Sequence, residues 1–285
     1  MPDGNTVTVA ISGGLGNQMF KYAAARALAL RHGGDVGLDV TFYRNSRHRH
    51  FELDAFPIIA KRLVPASGGF WKRFGAKSRE PEARARVYRE PHFRFDPAFL
   101  DLALPVVLDG YFQSPRYFES SAEAIRRELT PPPARDSESL AIARAMTERD
   151  SAAVHVRRGD YVSKAHVNAI HGTCSIAYYQ RAIEQLPGDS TVFVFSDDIA
   201  WARANLPAVR RLVFVGDAGP RPGLADLWLM TLAQHHIVAN SSFSWWGAWL
   251  AAPGNGRKFA PARWFADASL DDRDLVPADW TRVPS

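Results

Sequence analysis

The chain has 285 residues, 46% hydrophobic and 23% charged, the composition of a globular protein with room for one large or two smaller domains. Its 35 basic and 30 acidic residues leave a net charge of +5, a mildly basic surface too weak to mark a nucleic-acid binder on its own. The single cysteine, Cys174, excludes an internal disulfide and a cysteine-based zinc site.

The opening MPDGNTVTVAISGG has no basic start followed by a long apolar run, so no secretory leader is expected. The most apolar stretch, LWLMTLAQHHIVANSSFSWWGAWLAAP, is interrupted by Gln234, His235, His236, Asn240 and three serines, which argues against a spanning helix. A cytoplasmic location is expected, with peripheral contact at the inner face of a membrane left open.

VTVAI (7–11) reads as a strand, SGGLGNQ as a turn, and MFKYAAARALALRHG as a helix stopped by Gly33 and Gly34. DVGLDVTFY (35–43) is the next strand, giving a βαβ start. Residues 44–105 read as a loop-rich region with short helices; they include RNSRHRH and a Gly/Lys/Arg-rich stretch at 68–79. VVLDGYFQSPRYF (106–118) is a strand followed by a helix start, and AEAIRRELTPPP closes on prolines that cannot continue a helix. That proline run is the expected linker, dividing residues 1–135 from 136–285.

A second alternating series follows. SLAIARAMTE is a helix, SAAVHV a strand, SIAYYQRAIEQL a helix, STVFVFSDD a strand, and IAWARANL a helix. RLVFVGD is a strand, LADLWLMTLAQHH a helix, IVANSS a strand, SWWGAWLAAPG a helix, and RKFAPARW the last strand. Such alternation predicts an α/β protein of two Rossmann-like domains with parallel sheets, facing a cleft. The last residues are left free to pack back on the first domain.

Ligands of such sheets bind beyond the carboxyl ends of the strands. Four exits therefore carry the reading: SGGLGNQ, RRGDY, FSDD and ANSSFS. In HVRRGDYV, Arg157 and Arg158 leave an apolar strand together. Arginine keeps its charge and presents a fixed fork of donors, which suits phosphate oxygens; ordinary salt bridging is the plain alternative. SGGLGNQ breaks the dinucleotide fingerprint, because its third glycine would fall at Met19, and no G-K-[ST] follows for a phosphate loop. Asn17 and Gln18 sit instead at the helix start, where amides can bond sugar hydroxyls. In FSDD, Ser196, Asp197 and Asp198 stand at a strand mouth; one caps the next helix or accepts from a base or ribose, and the sequence leaves both open. Asn240, Ser241, Ser242, Phe243 and Ser244 precede or open a helix, where hydroxyls and backbone N–H groups form an anion cradle. Trp245, Trp246 and Trp249 are read as packing that helix on the sheet, with a sugar-stacking tryptophan as the alternative.

GGLGNQMFKYA, GYFQSPRYF, HVRRGDYV with HGTCSIAYY, FSDD and HHIVANSSFSWWGAWL, in this order, resemble the bacterial α-1,2-fucosyltransferases of glycosyltransferase family 11. The resemblance implies a GT-B-like fold and an inverting transfer of L-fucose from GDP-fucose to the 2-hydroxyl of a terminal galactose. It implies no cofactor and no metal. It would place the acceptor on the first domain and GDP on the second. Arg157 would hold the β-phosphate, with His155 beside the nucleotide. An aspartate of FSDD would read guanine, and Ser242 and Ser244 would cradle the pyrophosphate. Asn17 and its neighbours would lie near fucose or acceptor. Arg158 is assigned mainly to holding the loop.

Inversion asks for a base, and distant fucosyltransferases carry a carboxylate beyond the arginine motif. Here that position reads SKAHVNA, without an acid, so Asp160 and His171 are the candidates, beside a mechanism that needs little base. Another GDP-sugar transferase of the same fold, with a different acceptor, is the alternative. The broken glycine fingerprint speaks against an oxidoreductase, and the intact arginine and serine motifs against a glycan-binding protein without catalysis. No nucleic-acid partner is expected, since RNSRHRH is better read as a solvated loop.

Overall fold

The computed structural model describes residues 4–46, 48–63, 86–208, 210–216, 219, 221–254 and 256–285. The Gly/Lys/Arg-rich stretch at 68–79 lies outside them. The chain divides into two compact units, Met1–Thr130 with Arg273–Leu275, and Pro131–Asp272 with Val276–Ser285. The division falls at the start of the proline run, and a short segment near the carboxyl end belongs to the first unit.

The first unit holds a five-stranded parallel sheet ordered β3-β2-β1-β5-β4. These strands are β1 (Thr6–Ala10), β2 (Asp35–Asp39), β3 (Lys61–Leu63), β4 (Arg86–Arg89) and β5 (Val106–Asp109). Helix α1 (Leu15–His32) follows the glycine turn, and Gly33 closes it in the left-handed region, donating to Ala29 and Leu30. Thirteen of its residues are buried, because an alanine-rich helix can lie close on the sheet. β2 stops at Asp39, and Thr41–Arg44 becomes a 3-10 turn instead of more strand. The region expected to be loops supplies two strands: β3 and β4, at the two sheet edges, are short and largely exposed. α2 (Ala122–Glu128) ends this unit, and its buried Glu128 is paired with Arg26 at 2.9 Å.

The second unit holds a six-stranded parallel sheet ordered β11-β10-β9-β6-β7-β8. Its strands are β6 (Ser151–Val156), β7 (Thr191–Ser196), β8 (Leu212–Phe214), β9 (His235–Ile237), β10 (Lys258–Pro261) and β11 (Thr281–Val283). The helices are α3 (Ser137–Thr147), α4 (Gly159–Ser163), α5 (Ala165–His171), α6 (Ile176–Glu184), α7 (Ile199–Asn205), α8 (Gly223–Leu232) and α9 (Ser242–Leu250). β6 is buried throughout, as a strand covered on both faces must be. Val154 and Val156 pack with Tyr178, Tyr179 and Ile183 of α6, while Ala153, Phe193 and Phe195 pack with Leu229 and Met230 of α8. Trp245 and Trp246 are fully buried and Trp249 nearly so, holding α9 to the core.

Two strand readings shift. The strand expected at IVANSS begins earlier, because His235 and His236 are buried and paired inside the sheet. RKFAPARW is not the last strand; TRV pairs beside it as β11.

Candidate active site

In the second sheet the chain reverses direction of growth between β6 and β9, so the crevice at their carboxyl ends is the expected ligand site. A cavity of about 520 Å³ lies at the strand exits, walled by His155, Arg157, Asp197, Val215, Arg221 and Phe243 among others.

β6 ends at Val156, so Arg157 and Arg158 lie just past the strand. Arg157 is gripped from two sides: Asp160 accepts from Nη2, and Asp197 Oδ2 lies 2.9 Å from Nη1. The two carboxylates hold its guanidinium above the usual range against the cost of burial. Its Cζ lies 5.5 Å from the Tyr161 ring centre, and Tyr161 stacks on His171 at 4.8 Å, nearly parallel. Asp197 also accepts from the Arg158 backbone N–H at 2.8 Å. Gly159 is required by this closeness, because a Cβ there would stand 2.5 Å from Asp197 Oδ2. Arg158 turns to Asp198 (3.1 Å) and covers Trp201 at 4.0 Å. Asp198 caps α7 by accepting from Trp201 N–H at 3.1 Å, while its own N–H donates to Ser196 Oγ at 2.9 Å. Of the two roles left open for FSDD, capping is the one seen at Asp198.

His155 is buried on the cavity wall beside Phe243, with ring centres 5.8 Å apart, and its Nδ1 has no hydrogen-bond partner among the described residues. Burial, helped by the Arg157 charge, lowers its pKa to about 3, so the ring is neutral at physiological pH. His171 is also held below its ordinary value, mainly by burial. Its Nδ1 is likewise buried without a partner among the described residues.

The α9 segment divides by role. Asn240 points into the protein: its amide donates to the carbonyls of His171 (2.8 Å), Gly172 (3.2 Å) and Trp264 (3.2 Å). Its own backbone carbonyl accepts from Tyr161 Oη at 3.1 Å. Asn240 thus braces the loop under His171. Ser241 is the N-terminal cap residue of α9 and makes no side-chain cap bond. Ser244 is buried and bonds back to Ser241 O at 3.3 Å, whereas Ser242 and Phe243 are half-buried. Cys174 Sγ donates to Asn240 Oδ1 at 3.6 Å, and burial raises its pKa to about 11, which leaves it an unreactive thiol.

Asn17 and Gln18 belong to the first unit. Gln18 is fully buried; it donates to His50 O at 2.8 Å and accepts from Glu52 N–H at 2.9 Å, fixing the loop after β2. Asn17 accepts from Gln113 at 2.8 Å, so GGLGNQ and GYFQS meet. Gly13, at φ 83°, makes the turn that brings them together.

Sequence reasoning missed Arg221 and Asp226. Arg221 is buried, pairs with Asp226 at 3.0 Å and Glu138 at 3.2 Å, and donates to Ser139 Oγ, tying the starts of α3 and α8 at the cavity wall. Burial raises the Asp226 pKa. PRPGLAD contained the signal only as a proline-glycine helix start with an acid in its first turn.

The family model described as Glycosyl transferase family 11 matches residues 91–283. The alpha-1,2-colitosyltransferase of Escherichia coli is 34% identical, over 97% of this chain and 98% of that protein. Galactoside alpha-(1,2)-fucosyltransferase 1 of Lagothrix lagotricha is 28% identical, over 86% of this chain and 65% of its own length. Among solved structures, that of a mutant of Arabidopsis thaliana FUT1 in complex with GDP aligns with a TM-score of 0.50. It covers 97% of this chain and 76% of its own, at 13% identity, and so speaks for the GT-B-like fold alone.

Proposed function

The chain belongs to glycosyl transferase family 11, and we propose that it transfers L-fucose from GDP-fucose to the 2-hydroxyl of a terminal galactose. The observation that carries the donor half is the Arg157 guanidinium at the cavity wall, fixed by Asp160 and Asp197. Departure of GDP places negative charge on the β-phosphate. A preorganised guanidinium is a strong stabiliser of such charge, because it needs no reorganisation at the moment of reaction. The carboxylates keep it aimed before the donor arrives, and a bound pyrophosphate competes with them for the same N–H groups. Ser242 and the first N–H groups of α9 add donors for the second phosphate.

Neutral His155 offers a buried nitrogen to the nucleotide without adding charge. Asp160 is engaged with Arg157, so we assign it to orienting that side chain. His171, neutral and stacked on Tyr161, is then the candidate proton acceptor for the incoming hydroxyl. In that step the acceptor oxygen attacks the anomeric carbon, the bond from that carbon to the phosphate oxygen breaks, GDP carries away the electron pair, and the hydroxyl proton passes to the base.

The similarity to a colitosyltransferase supports a second reading in which the donor is GDP-colitose, whose sugar is a fucose lacking its 3-hydroxyl. Parallel incubations with GDP-fucose and GDP-colitose, each with lactose, with and without EDTA, decide between them once the product linkage is analysed. A fucosyl-α-1,2-galactose product formed equally with EDTA supports the first reading. Transfer from GDP-colitose alone supports the second. Neither transfer nor GDP release from either donor would refute both.

A further inference from the structure

Three arginines from separate segments of the first unit line one small cavity, about 350 Å³ in volume. Arg94 comes from the stretch after β4, Arg116 from the turn after β5, and Arg273 from the carboxyl-terminal segment that belongs to this unit. Asp96 and Asp274 stand in the same wall. We propose that this cavity binds a phosphate group, with Arg94 and Arg116 as its principal donors.

Both carboxylates of the wall are committed to the fold. Asp96 caps the 3-10 turn Pro97–Asp101: its Oδ1 accepts from Ala98 N–H at 3.0 Å and its Oδ2 from Tyr88 Oη at 2.7 Å. Asp274 Oδ2 accepts from Phe95 N–H at 3.1 Å, and its Oδ1 makes a long 3.3 Å pair with Arg116 Nη1.

The two arginines are held with donors to spare. Arg94 pairs with no carboxylate among the described residues; its Nε donates to His92 Nε2 at 3.4 Å. His92 Nδ1–H donates in turn to Arg94 O at 3.0 Å, so the two side chains fix each other and leave both Nη groups of Arg94 for a ligand. Arg116 lies over the Phe95 ring, with Cζ 4.5 Å from its centre, and Phe95 is buried edge-on against Tyr117. This packing sets the plane of the guanidinium while only Nη1 is bonded to Asp274.

Charge, size and shape select the ligand. Three permanent cations against two carboxylates leave one positive charge in excess, which a neutral sugar would not meet. The volume is at the low end for small-molecule sites, so it suits a single group and not a strand of nucleic acid. A carboxylate is flat, and one arginine satisfies it side-on. A phosphate directs oxygens several ways and so uses donors arriving from three segments. None of these residues lines the cavity of Arg157, so the site does not depend on the donor reading.

The test is calorimetric titration of the full chain with sodium phosphate at constant ionic strength, with sodium acetate for comparison. The wild type should bind phosphate more tightly than acetate. Arg94→Ala and Arg116→Ala should each weaken this site about tenfold. Arg94→Ala breaks no ion pair among the described residues, so its melting temperature without phosphate should match the wild type. Arg157→Ala, shown to be folded by its melting transition, should keep the site. Co-sedimentation with phosphatidylcholine vesicles, with and without phosphatidic acid, identifies the source. Retention on the acidic vesicles that Arg94→Ala abolishes marks a lipid headgroup; phosphate binding without retention marks a soluble phosphate ester. Absence of phosphate binding in the wild type, acetate bound as tightly as phosphate, or phosphate binding unchanged in both Arg94→Ala and Arg116→Ala overturns the proposal. So does loss of all phosphate binding in folded Arg157→Ala.

Discussion

Arg157 and Asp197 meet at 2.9 Å across the exits of the adjacent strands β6 and β7. They are far apart in the chain, and the parallel pairing of Val156 with Ser196 sets them side by side. The pair therefore measures whether both strands end in register.

Arg157→Lys should lower kcat on the order of 10²–10³-fold, because lysine keeps the charge and loses the fork. Asp197→Asn should cost less, about tenfold, since Asp160 still orients the guanidinium. Steady-state kinetics with GDP-fucose check both. A lysine variant with near-normal turnover would remove Arg157 from the leaving-group role.

Gly159→Ala should damage activity more than stability. The new Cβ would stand 2.5 Å from Asp197 Oδ2, a side-chain atom that can rotate away, so the fold survives while the Arg157 pair opens. The expected result is a kcat loss at least equal to that of Asp197→Asn, with a melting temperature within a few degrees of wild type. Arg158→Ala should behave in the opposite sense. It gives up the 3.1 Å bond to Asp198 and the stacking on Trp201, lowering stability by about 1 kcal/mol with a smaller change in kcat.

Asp160→Asn separates positioning from proton transfer. With its carboxylate on Arg157, the variant should lose rate without altering the shape of the pH–rate profile. His171→Gln should instead remove the acid limb of that profile. An acid limb lost in the aspartate variant and kept in the histidine variant would exchange the two roles.

Two buried histidines predict the acid sensitivity of the fold. Burial lowers both His155 and His236 to about 3, with Arg157 adding to the first. Below the unfolded value of about 6.5 the unfolded chain takes up protons that the native state refuses, so stability falls as pH drops from there. The slope should approach about 1.4 kcal/mol per pH unit for each histidine. Urea midpoints between pH 7 and 5 measure it, and His236→Gln should reduce it by the share of one histidine.

The long apolar runs were legible because burial on both faces leaves its mark in composition: VTVAI and SAAVHV are strands, and the alternation around them is the two-sheet fold. KRL, RVYR and TRV carry no such mark, since these short edge strands pair through backbone and most of their side chains are exposed or half-buried, with Val283 alone of them in the core. HHI hid for the opposite reason, because its histidines are buried only by virtue of partners elsewhere, Asp150 at 3.1 Å and Met230 O at 2.8 Å. At the site, the arginines could be read from their place at a strand exit. The Arg221 pairing with Glu138 could not, since it joins segments remote in the chain. The reading of Asn240 as a ligand group missed that a buried amide beside three carbonyls is satisfied by them.

Lys21 predicts a rise of stability on the alkaline side. Burial lowers its pKa from 10.5 to about 8, although Asp109 and Glu90 pull the other way. Between those values the unfolded chain holds a proton on this lysine that the native state has released, so the native state gains stability as pH rises from about 8 toward 10.5. At neutral pH the native state carries the buried ammonium at a cost of up to about 3 kcal/mol. Lys21→Met keeps the length of the side chain and removes the charge. It should raise the melting temperature at pH 7 and flatten the difference between pH 8 and pH 10. A methionine variant no more stable than wild type at pH 7, with the alkaline rise intact, would place the titrating group elsewhere.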